Sequence, residues 1–310
     1  MRTSSSKASA TPLRASSGET LVFVPTYNEA SAIVVLLEAL LALPLRCDVL
    51  VVDDGSSDGT MALLEACASD MRLGVIVRPG RFGLGSAHKL GWLHARRFGY
   101  SRVVTLDADL SHNPSDILRL IAALDAGADV AIGSRFAPGG GFDYRGWRRF
   151  LSCSANKLAR HLLRLPIAEY TNSLRAARLD RVPFGLIETI PNDGYSFFLT
   201  AAVRLARAGL SIAEVPIWFR DRIGSKSKIS RLEILYAVAN LVRVALQRRA
   251  EPNRAILVRS EWLCSTCGQP YRVYTTRADM ICLACFTPAQ CGELYDGSPT
   301  RCGVPTKSAH

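Results

Sequence analysis

The sequence predicts an α/β fold built on a doubly wound, mostly parallel sheet, followed by a small cysteine-rich module. Short apolar runs rich in Val and Ile alternate with segments of helical character through residues 20–132, and this alternation is typical of parallel sheets with right-handed crossovers. Carboxylates follow several of these runs directly, and six of the nine cysteines lie between residues 264 and 302. A chain of 310 residues can therefore hold one large domain and a second, smaller one.

Five apolar runs in the first half are predicted to be buried strands, because continuous β-branched runs are typical of strands covered on both faces. These runs span residues 21–24, 49–52, 73–77, 103–106 and 129–132. The segments that connect the strands are predicted to be helices, at 28–43, 58–69, 86–98 and 114–125. Asp58 is a suitable N-cap for the second of these helices, since its carboxylate can accept from backbone amides of the first turn.

The second half is less regular. It begins with a glycine-rich loop and contains three predicted helices, a short strand pair and a polar basic loop. In chain order these are the loop 137–146, the helices 147–164 and 194–208, the strands at 211–219, the basic loop 220–230 and the helix 231–247. Composition places a boundary near 250–260, which predicts a large domain over 20–250 and a cysteine-rich module over 260–302.

The first 19 residues are rich in Ser, Ala and Thr and contain no apolar core. This composition excludes a secretory signal and favours a disordered tail over an organellar transit peptide. No stretch provides the ~20 apolar residues that span a bilayer, so we expect a soluble or peripheral protein. The single cysteines before residue 220 are typical of a reduced, cytoplasmic compartment.

The net charge of +11 is concentrated in one segment: residues 220–261 carry ten Arg or Lys against four Asp or Glu. Such a patch suits phosphate, anionic lipid or nucleic acid. The apolar content of 48% and the charged content of 21% are those of a globular protein with a hydrophobic core.

Asp107 and Asp109 directly follow the predicted strand 103–106. Residues two apart in an extended chain point to the same side, and the carboxyl edge of an open α/β sheet is where ligands bind. Two adjacent carboxylates repel each other unless a cation lies between them, and hard oxygen ligands suit Mg²⁺ or Mn²⁺. The alternative is an Asp that caps the next helix, but Asn113 and Ser115 are better placed for that role.

Two more polar turns follow parallel strands and are expected at the same edge. The first contains Tyr27 and Glu29, and the second contains Asp53 and Asp54. Together they offer a ring for a nucleobase and acceptors for ribose hydroxyls. The alternative for the second turn is that Asp-Asp-Gly-Ser only forms a turn. Three acidic strand ends on one edge favour a ligand site.

These motifs form an ordered set: Pro-Thr-Tyr-Asn-Glu at 25–29, Val-Asp-Asp-Gly-Ser at 52–56, Asp-Ala-Asp-Leu-Ser-His-Asn-Pro at 107–114 and Gly-Ser-Arg at 133–135. With this set, residues 20–247 resemble the family 2 glycosyltransferases of GT-A fold. Within that family the chain is most similar to the polyprenol (dolichol) phosphate mannosyltransferases.

The resemblance implies a nucleotide sugar donor, with GDP-mannose as the expected one. The base and ribose are expected near Pro25, Tyr27, Glu29 and Asp53. Asp107 and Asp109 are expected to hold the divalent cation on the diphosphate, while Asp54 and Arg135 help to orient the sugar and the diphosphate. Members of the family often have Gln where this chain has Ser111, so a water is expected to complete the metal shell.

The basic loop resembles the family's Arg-x-x-Gly-x-Ser-Lys stretch. Arg222, Ser227 and Lys228 align with it, although Gly224 lies one place early. Mobile cations over a diphosphate stabilise the leaving group, which makes Arg222 and Lys228 candidate catalytic residues. The alternative is a solvated basic loop. The acceptor phosphate is expected against Arg222 with Ser134, Arg149 and Arg175.

The chain departs from the family after the Gly-Tyr-x-Phe stretch. Members of the family often have Gln and Glu there, whereas this chain has Phe198 and Thr200. The loss of this Glu removes one candidate general base. A sugar hydroxyl needs a base, whereas a phosphate monoester, with a second pKa of about 6, arrives ionised. The change therefore favours a lipid phosphate acceptor, although Asp193 is left as a possible base for a hydroxyl acceptor.

The helix predicted at 231–247 is about 25 Å long at ~1.5 Å per residue, and basic residues flank it. This length is short of a bilayer core. An in-plane helix at a membrane surface fits a lipid acceptor. The alternative is a helix packed on the back of the sheet.

Two CxxC pairs, Cys264 with Cys267 and Cys282 with Cys285, are separated by 14 residues. This spacing is typical of a zinc ribbon, in which four thiolates hold a structural Zn²⁺. Cys291 and Cys302 are additional. The module could dock a protein partner, contact nucleic acid or support dimerisation, and the sequence does not distinguish these roles.

The sequence thus predicts a metal-dependent, inverting hexosyltransferase that acts on a polyprenyl phosphate as a peripheral protein at the cytosolic membrane face. One rival is a transferase to a soluble or protein hydroxyl. Another is a nucleic-acid-binding protein with a degenerate transferase domain, which the intact Asp107, Asp109 and Arg135 disfavour.

Overall fold

The structure is a computed structural model that describes residues 19–67, 69–191, 194–221 and 231–246, with four short strands after residue 259. It divides into two compact units, Met1–Ala250 and Glu251–His310. In the second unit, β10 (Ser260–Leu263) pairs antiparallel with β11 (Pro270–Val273), and β12 (Met280–Ile281) pairs antiparallel with β13 (Pro288–Ala289). Strands β1 to β9 belong to the first unit.

The strands of the first unit are β1 Thr20–Thr26, β2 Cys47–Asp53, β3 Leu73–Val77, β4 Arg102–Thr105, β5 Val130–Ser134, β6 Gly141–Phe142, β7 Arg175–Arg178, β8 Ile212–Pro216 and β9 Trp218–Phe219. The helices are α1 Ile33–Leu41, α2 Thr60–Cys67, α3 Leu84–Arg97, α4 Asp116–Asp125, α5 Gly146–Leu163, α6 Ser196–Arg207 and α7 Arg231–Leu246. Among the described helices, none has both the length and the apolar character needed to cross a membrane.

The predicted doubly wound, mostly parallel sheet is confirmed. Seven strands form one sheet in the order β3-β2-β1-β4-β7-β5-β8, and β7 is antiparallel to both of its neighbours. The chain runs outward from β1 through β2 to β3 and then returns to place β4 on the other side of β1. The strand order therefore reverses between β1 and β4, and ligands bind at such a switch point in open α/β sheets.

Helices cover both faces of the sheet. On one face Val22 and Val24 pack with apolar residues of α1, α2 and α4 in one buried cluster. On the other face α3 lies so close to β1 that a Cβ at Gly91 would be 2.5 Å from the Phe23 ring. A separate buried cluster joins α5, α6 and α7. The core thus holds the β1/β4 switch point between two helical layers.

Three local features differ from the sequence-based predictions. The helix predicted at 28–43 begins at Ile33, because the Glu29 carbonyl accepts from the Ala32 and Ile33 amides in a turn that Asn28 enters with a φ of +53°. The stretch at 172–175, given no secondary structure from the sequence, leads into the antiparallel strand β7. The glycine-rich loop contains β6, which pairs with β9 in a two-stranded ribbon.

Candidate active site

The three acidic turns predicted from the sequence lie at the carboxyl ends of adjacent parallel strands. β1 ends at Thr26 beside Asp53 of β2, and Phe23 of β1 pairs with Thr105 of β4. We call these turns, residues 25–29, 53–58 and 107–112, the acidic rim. The rim lies at the β1/β4 switch point, where the fold alone predicts a ligand site.

Side-chain hydrogen bonds tie the first two turns of the rim together. The Asn28 amide donates to Ser56 Oγ at 2.8 Å, and the Ser57 amide donates to Asn28 Oδ1 at 2.8 Å. The Asp53 carboxylate is wholly buried and accepts from the Ser56 amide at 2.8 Å and from its hydroxyl at 2.5 Å. Asp53 therefore stabilises the turn at 53–56. This is the alternative role predicted from the sequence for Asp-Asp-Gly-Ser.

Asp58 lies one residue before the N-cap position of α2, which Gly59 occupies in place of the predicted Asp58, since α2 begins at Thr60 and the Gly59 carbonyl accepts from the Leu63 amide. Asp58 Oδ1 still accepts from the Thr60 amide at 3.1 Å, and Asp58 Oδ2 accepts from the Ala30 amide at 3.0 Å. The Glu29 amide in turn donates to Thr60 Oγ1 at 3.0 Å. One carboxylate thus fixes both the helix start and the turn after β1, which positions the Glu29 backbone on the rim.

Asp54 forms a buried ion pair with Arg78, a residue that sequence reasoning missed. Arg78 Nε donates to Asp54 Oδ1, and Arg78 Nη1 donates to Ser86 Oγ at 2.5 Å. Burial raises the pKa of the Asp54 carboxyl, and Arg78 opposes this increase only in part. Arg78 directly follows β3, so the rule that ligands collect at carboxyl strand ends could have identified it.

Tyr27 lies under a guanidinium that also was not predicted. The Arg81 guanidinium carbon is 4.5 Å from the centroid of the Tyr27 ring. Pro25 is buried within β1, and Glu29 is 7% exposed. The ring predicted to receive a nucleobase is thus at the rim, with a cation over its face.

The predicted metal ligands differ in exposure. Asp109 is 3% exposed, and its Oδ1 accepts from the Ser111 amide at 3.1 Å and from the Ser111 hydroxyl at 2.5 Å. The Asp107 side chain is 25% exposed, with its Oδ2 3.5 Å from His112 Nε2. The same His112 nitrogen lies 3.1 Å from Ser173 Oγ. The two carboxylates are therefore held by their own turn and by the segment that leads into β7.

These carboxylates fit a hard divalent cation in chemistry and in number. Within the described residues, no group of three or more His, Cys, Asp or Glu side chains is arranged to hold a metal ion. Two carboxylates at the carboxyl edge of the sheet would leave coordination positions for substrate oxygens, which is typical of Mg²⁺ sites that bind phosphates. The residues present thus suit a metal that arrives with a diphosphate.

Arg135 lies in a buried network rather than in an open cleft. Its Nε and Nη2 donate to the two carboxylate oxygens of Glu169, both at 2.7 Å, and its Nη1 donates to Tyr144 Oη at 2.9 Å. Burial would lower the pKa of Arg135, but Glu169 outweighs burial and raises it. No sequence signal marked Glu169, which lies 34 residues away.

The three residues predicted to hold the acceptor phosphate are not equally accessible. Ser134 is fully buried, and its Oγ accepts from the Phe136 and Ala137 amides. Arg175 is 7% exposed, donates to two backbone carbonyls and lines an inner cavity of about 20 Å³. Burial lowers its pKa to about 10. Only Arg149 is exposed.

Several predicted residues lie outside the described part of the chain. These are Arg222, Lys228 and the alternative base Asp193, together with the four cysteines Cys264, Cys267, Cys282 and Cys285. The roles assigned to them from the sequence stay predictions.

Comparisons with known proteins identify the family of the chain. Residues 21–182 match the family model described as "Glycosyl transferase family 2". The chain is 38% identical over 241 residues to a polyprenol monophosphomannose synthase of Mycolicibacterium smegmatis, covering 77% of this chain and 91% of that protein. It is 36% identical over 239 residues to an undecaprenyl-phosphate mannosyltransferase of Micrococcus luteus, covering 76% of this chain and 98% of that protein.

Solved structures with the same fold include glucosyl-3-phosphoglycerate synthase from Mycobacterium tuberculosis. In its complex with Mn²⁺, uridine diphosphate and glucosyl-3-phosphoglycerate, the TM-score is 0.54 at 19% identity, over 84% of this chain and 88% of that chain. Its complex with Mn²⁺ and uridine-diphosphate-glucose gives a TM-score of 0.54 at 20% identity, over the same shares of both chains. This similarity shows the fold.

Proposed function

The chain belongs to glycosyl transferase family 2, as an enzyme of the polyprenol-phosphate mannosyltransferase type, and we propose that it transfers mannose from GDP-mannose to a polyprenyl phosphate with inversion. A glycosyltransferase that acts on polyprenyl phosphate is the activity that its relatives support. The observation that carries the finer proposal is the position of Asp107 and Asp109 at the β1/β4 switch point, beside two turns that suit a nucleoside.

The acidic rim supplies the donor site. Tyr27 and Arg81 offer a ring and a cation for the base, and Glu29 lies on the same rim for the ribose, above the turn that the buried Asp53 stabilises. A divalent cation held by Asp107 and Asp109 would act as a Lewis acid and neutralise charge on the departing diphosphate. The Ser111 amide and hydroxyl hold the Asp109 carboxylate in place before the donor arrives, which is the preorganisation that electrostatic stabilisation requires. His112 Nε2 lies 3.5 Å from Asp107 Oδ2.

The acceptor needs no general base. An acceptor phosphate with a second pKa of about 6 is largely ionised at neutral pH. One of its oxygens attacks the anomeric carbon, the bond from that carbon to the diphosphate breaks, and the bonding pair leaves with the nucleoside diphosphate. Thr200, at the position where Glu is often found in the family, instead accepts from Asn240 Nδ2 at 3.0 Å and joins α6 to α7.

Peripheral binding to the cytosolic face of a membrane is supported by α7. One side of this helix is buried against α5 and α6 through Leu241 and Val244. The other side exposes Val238, Val242 and Leu246 at a spacing of four residues. The helix therefore packs on neighbouring helices and still presents an apolar face, and an apolar face with nearby cations suits an anionic membrane surface.

We also propose a structural Zn²⁺ on Cys264, Cys267, Cys282 and Cys285, on the strength of their sequence spacing. One zinc per chain in the purified protein, lost in a Cys264→Ser variant, supports this proposal. A chain without zinc contradicts it.

The decisive experiment incubates the full chain with radiolabelled GDP-mannose and polyprenyl phosphate, with and without Mn²⁺. We expect a mannosylated lipid only with metal. Asp109→Asn is expected to lower kcat/KM by about 10³-fold, because it removes one of two charges that bind the cation. The matched control is Asp125→Asn, since Asp125 is a 53% exposed carboxylate paired with Arg102 on the surface.

Three outcomes would contradict parts of the proposal. Transfer to a soluble hydroxyl acceptor in place of the lipid would overturn the acceptor assignment. Full activity in the presence of a chelator would overturn the metal. An α-linked product from an α-linked donor would overturn inversion.

A further inference from the structure

Trp218 is an exposed indole that the fold holds rigidly beside the candidate active site. The residue is 53% exposed, yet its Nε1 donates to Asp143 Oδ1 at 2.6 Å. One face of the ring covers Gly141, where a Cβ would come within 3 Å of three ring carbons. The glycine thus leaves room for the indole, and the other face of the ring is open.

The ribbon that carries Trp218 is fixed to the active site. β6 and β9 pair in parallel, with Gly141 opposite Trp218 and Phe142 opposite Phe219. Successive side chains of a strand point to opposite faces. Phe219 points inward, where its ring centroid lies 5.0 Å from that of His112 and 5.3 Å from the Arg135 guanidinium. Trp218 therefore points outward from a strand whose inner face contacts the turn at residues 107–112.

The strand that carries Trp218 is tied to the turn of the predicted metal ligands. The Arg220 amide, two residues after Trp218, donates to the Ser111 carbonyl at 2.9 Å. The Ser111 hydroxyl in turn donates to Asp109 Oδ1. The ribbon whose outer face carries the indole is therefore attached to the turn that contains Asp109.

The chemistry of the surface around Trp218 suits an apolar chain attached to an anion. The single polar group of the indole is already bound to Asp143, so the open face offers only apolar contact. Arg220, two residues further along the chain, is exposed and follows the same strand alternation as Trp218. A cation beside a fixed apolar ring complements a phosphate that carries an isoprenoid chain.

We propose that Trp218 is the binding platform for the isoprenoid units that adjoin the phosphate of the lipid acceptor. This inference rests on the proposed function and assigns the acceptor a subsite on the outer face of the β6–β9 ribbon. Asp143 and Gly141 are positioning residues, since they hold the indole and do not contact the acceptor.

The test uses the full chain, GDP-mannose, Mn²⁺ and a water-soluble ten-carbon isoprenyl phosphate, without membranes. Trp218→Ala is expected to raise the KM for this acceptor about tenfold, a loss of roughly 1.4 kcal/mol, with the KM for GDP-mannose unchanged. Gly141→Ala is expected to act in the same direction, because the added methyl displaces a ring that is still present. Trp218→Phe is expected to retain part of the affinity. Met71→Ala is the control, a 78% exposed apolar residue just before β3, at the far end of that strand from the rim.

The outcomes separate this inference from the proposed function. An active wild-type chain with an unchanged acceptor KM in Trp218→Ala would overturn the subsite alone. A loss confined to long-chain acceptors in vesicles, with the ten-carbon acceptor unaffected, would also overturn it, because the indole would then contact the bilayer. A wild-type chain that binds GDP-mannose but mannosylates no isoprenyl phosphate would overturn both.

Discussion

The acidic rim and the surface formed by α5, α7 and the β6–β9 ribbon, which we call the basic face, are built on opposite principles. In the rim, carboxylates are buried in turns and tied to backbone amides, as Asp53 and Asp109 show. On the basic face, cations and apolar side chains are exposed, as Arg149, Phe150 and Val242 show. A small polar donor requires fixed acceptors, whereas an amphiphilic acceptor requires an open surface with charge and apolar area. The contrast fits the proposal that the donor and the lipid acceptor bind to two different kinds of surface.

The buried pair of Arg135 and Glu169 lies between these regions and resembles neither. Both side chains are at most 9% exposed, and the pair contacts Tyr144 and the ring of Phe219 under the ribbon. Because the Arg135–Glu169 pair lies under the β6–β9 ribbon, we expect it to support the surface that binds the acceptor. The family resemblance instead implies that Arg135 orients the sugar and the diphosphate of the donor. A substitution can decide between these roles.

Glu169→Gln is expected to destabilise the first unit by about 3 kcal/mol, because it leaves the Arg135 charge buried without its counter-ion. Urea denaturation measures this loss, and Arg135→Met added to Glu169→Gln should recover part of it. The control is Asp180→Asn, whose exposed pair with Arg178 should contribute little to stability. If the affinity for GDP falls with Glu169→Gln in protein that is still folded, Arg135 acts on the diphosphate and the division into two surfaces is wrong.

Much of the rim could be predicted from the sequence, because each of its turns follows a parallel strand whose apolar run is easy to recognise. Asp107 and Asp109 are where strand ends place them, and Asp58 lies one residue before the N-cap position that the sequence predicts for it. Their partners were not predictable in the same way. Glu169 reaches Arg135 across 34 residues, and Trp218 reaches Asp143 across 75. Such contacts depend on tertiary packing, which no local pattern records.

Partners also changed the meaning of predicted residues. The family resemblance implies that Asp54 orients the donor, and Arg175 is predicted to contact the acceptor phosphate, but the fold buries the first against Arg78 and turns the second toward backbone carbonyls. Charge in a motif therefore identifies the region of a site. Whether a charged group faces the ligand or supports its neighbours depends on burial, which the sequence of the motif alone does not fix.

Unfolding at decreasing pH is expected to show whether the acidic rim and the basic face unfold in one transition. Burial lowers the pKa of His88 to about 3 and that of His94 to about 4. In the unfolded chain a histidine has a pKa of about 6.5 and takes up a proton below that pH. In the folded chain these two histidines stay neutral until a much lower pH. The free energy of unfolding therefore falls as the pH drops below 6.5. From pH 8 to pH 5.5 we expect a loss of about 1.4 kcal/mol for each histidine, measured by urea denaturation.

The control variants separate this effect from general acid lability. His94→Leu should remove about half of the pH dependence, and His161→Gln, at an exposed position, should leave it unchanged. His88 contacts Phe23 of β1 and Phe198 of α6, so it joins the strand that precedes the rim to a helix under the basic face. A single transition at every pH fits one cooperative unit. Two separated transitions would show that the regions are energetically independent.

The smallest expected effect isolates the membrane contact of the basic face. Val238→Asp combined with Val242→Asp places two carboxylates on the exposed side of α7, away from Leu241 and Val244, which pack inside. Each change removes apolar area and adds repulsion from anionic lipid, so binding to vesicles with anionic headgroups should fall about tenfold in a flotation assay. Transfer to the water-soluble ten-carbon acceptor should not change, because the rim and Trp218 are untouched. Val35→Asp, on an exposed position of α1, is the matched control. Unchanged vesicle binding would mean that the exposed face of α7 does not contact the bilayer, and the basic face would then serve the acceptor through the β6–β9 ribbon alone.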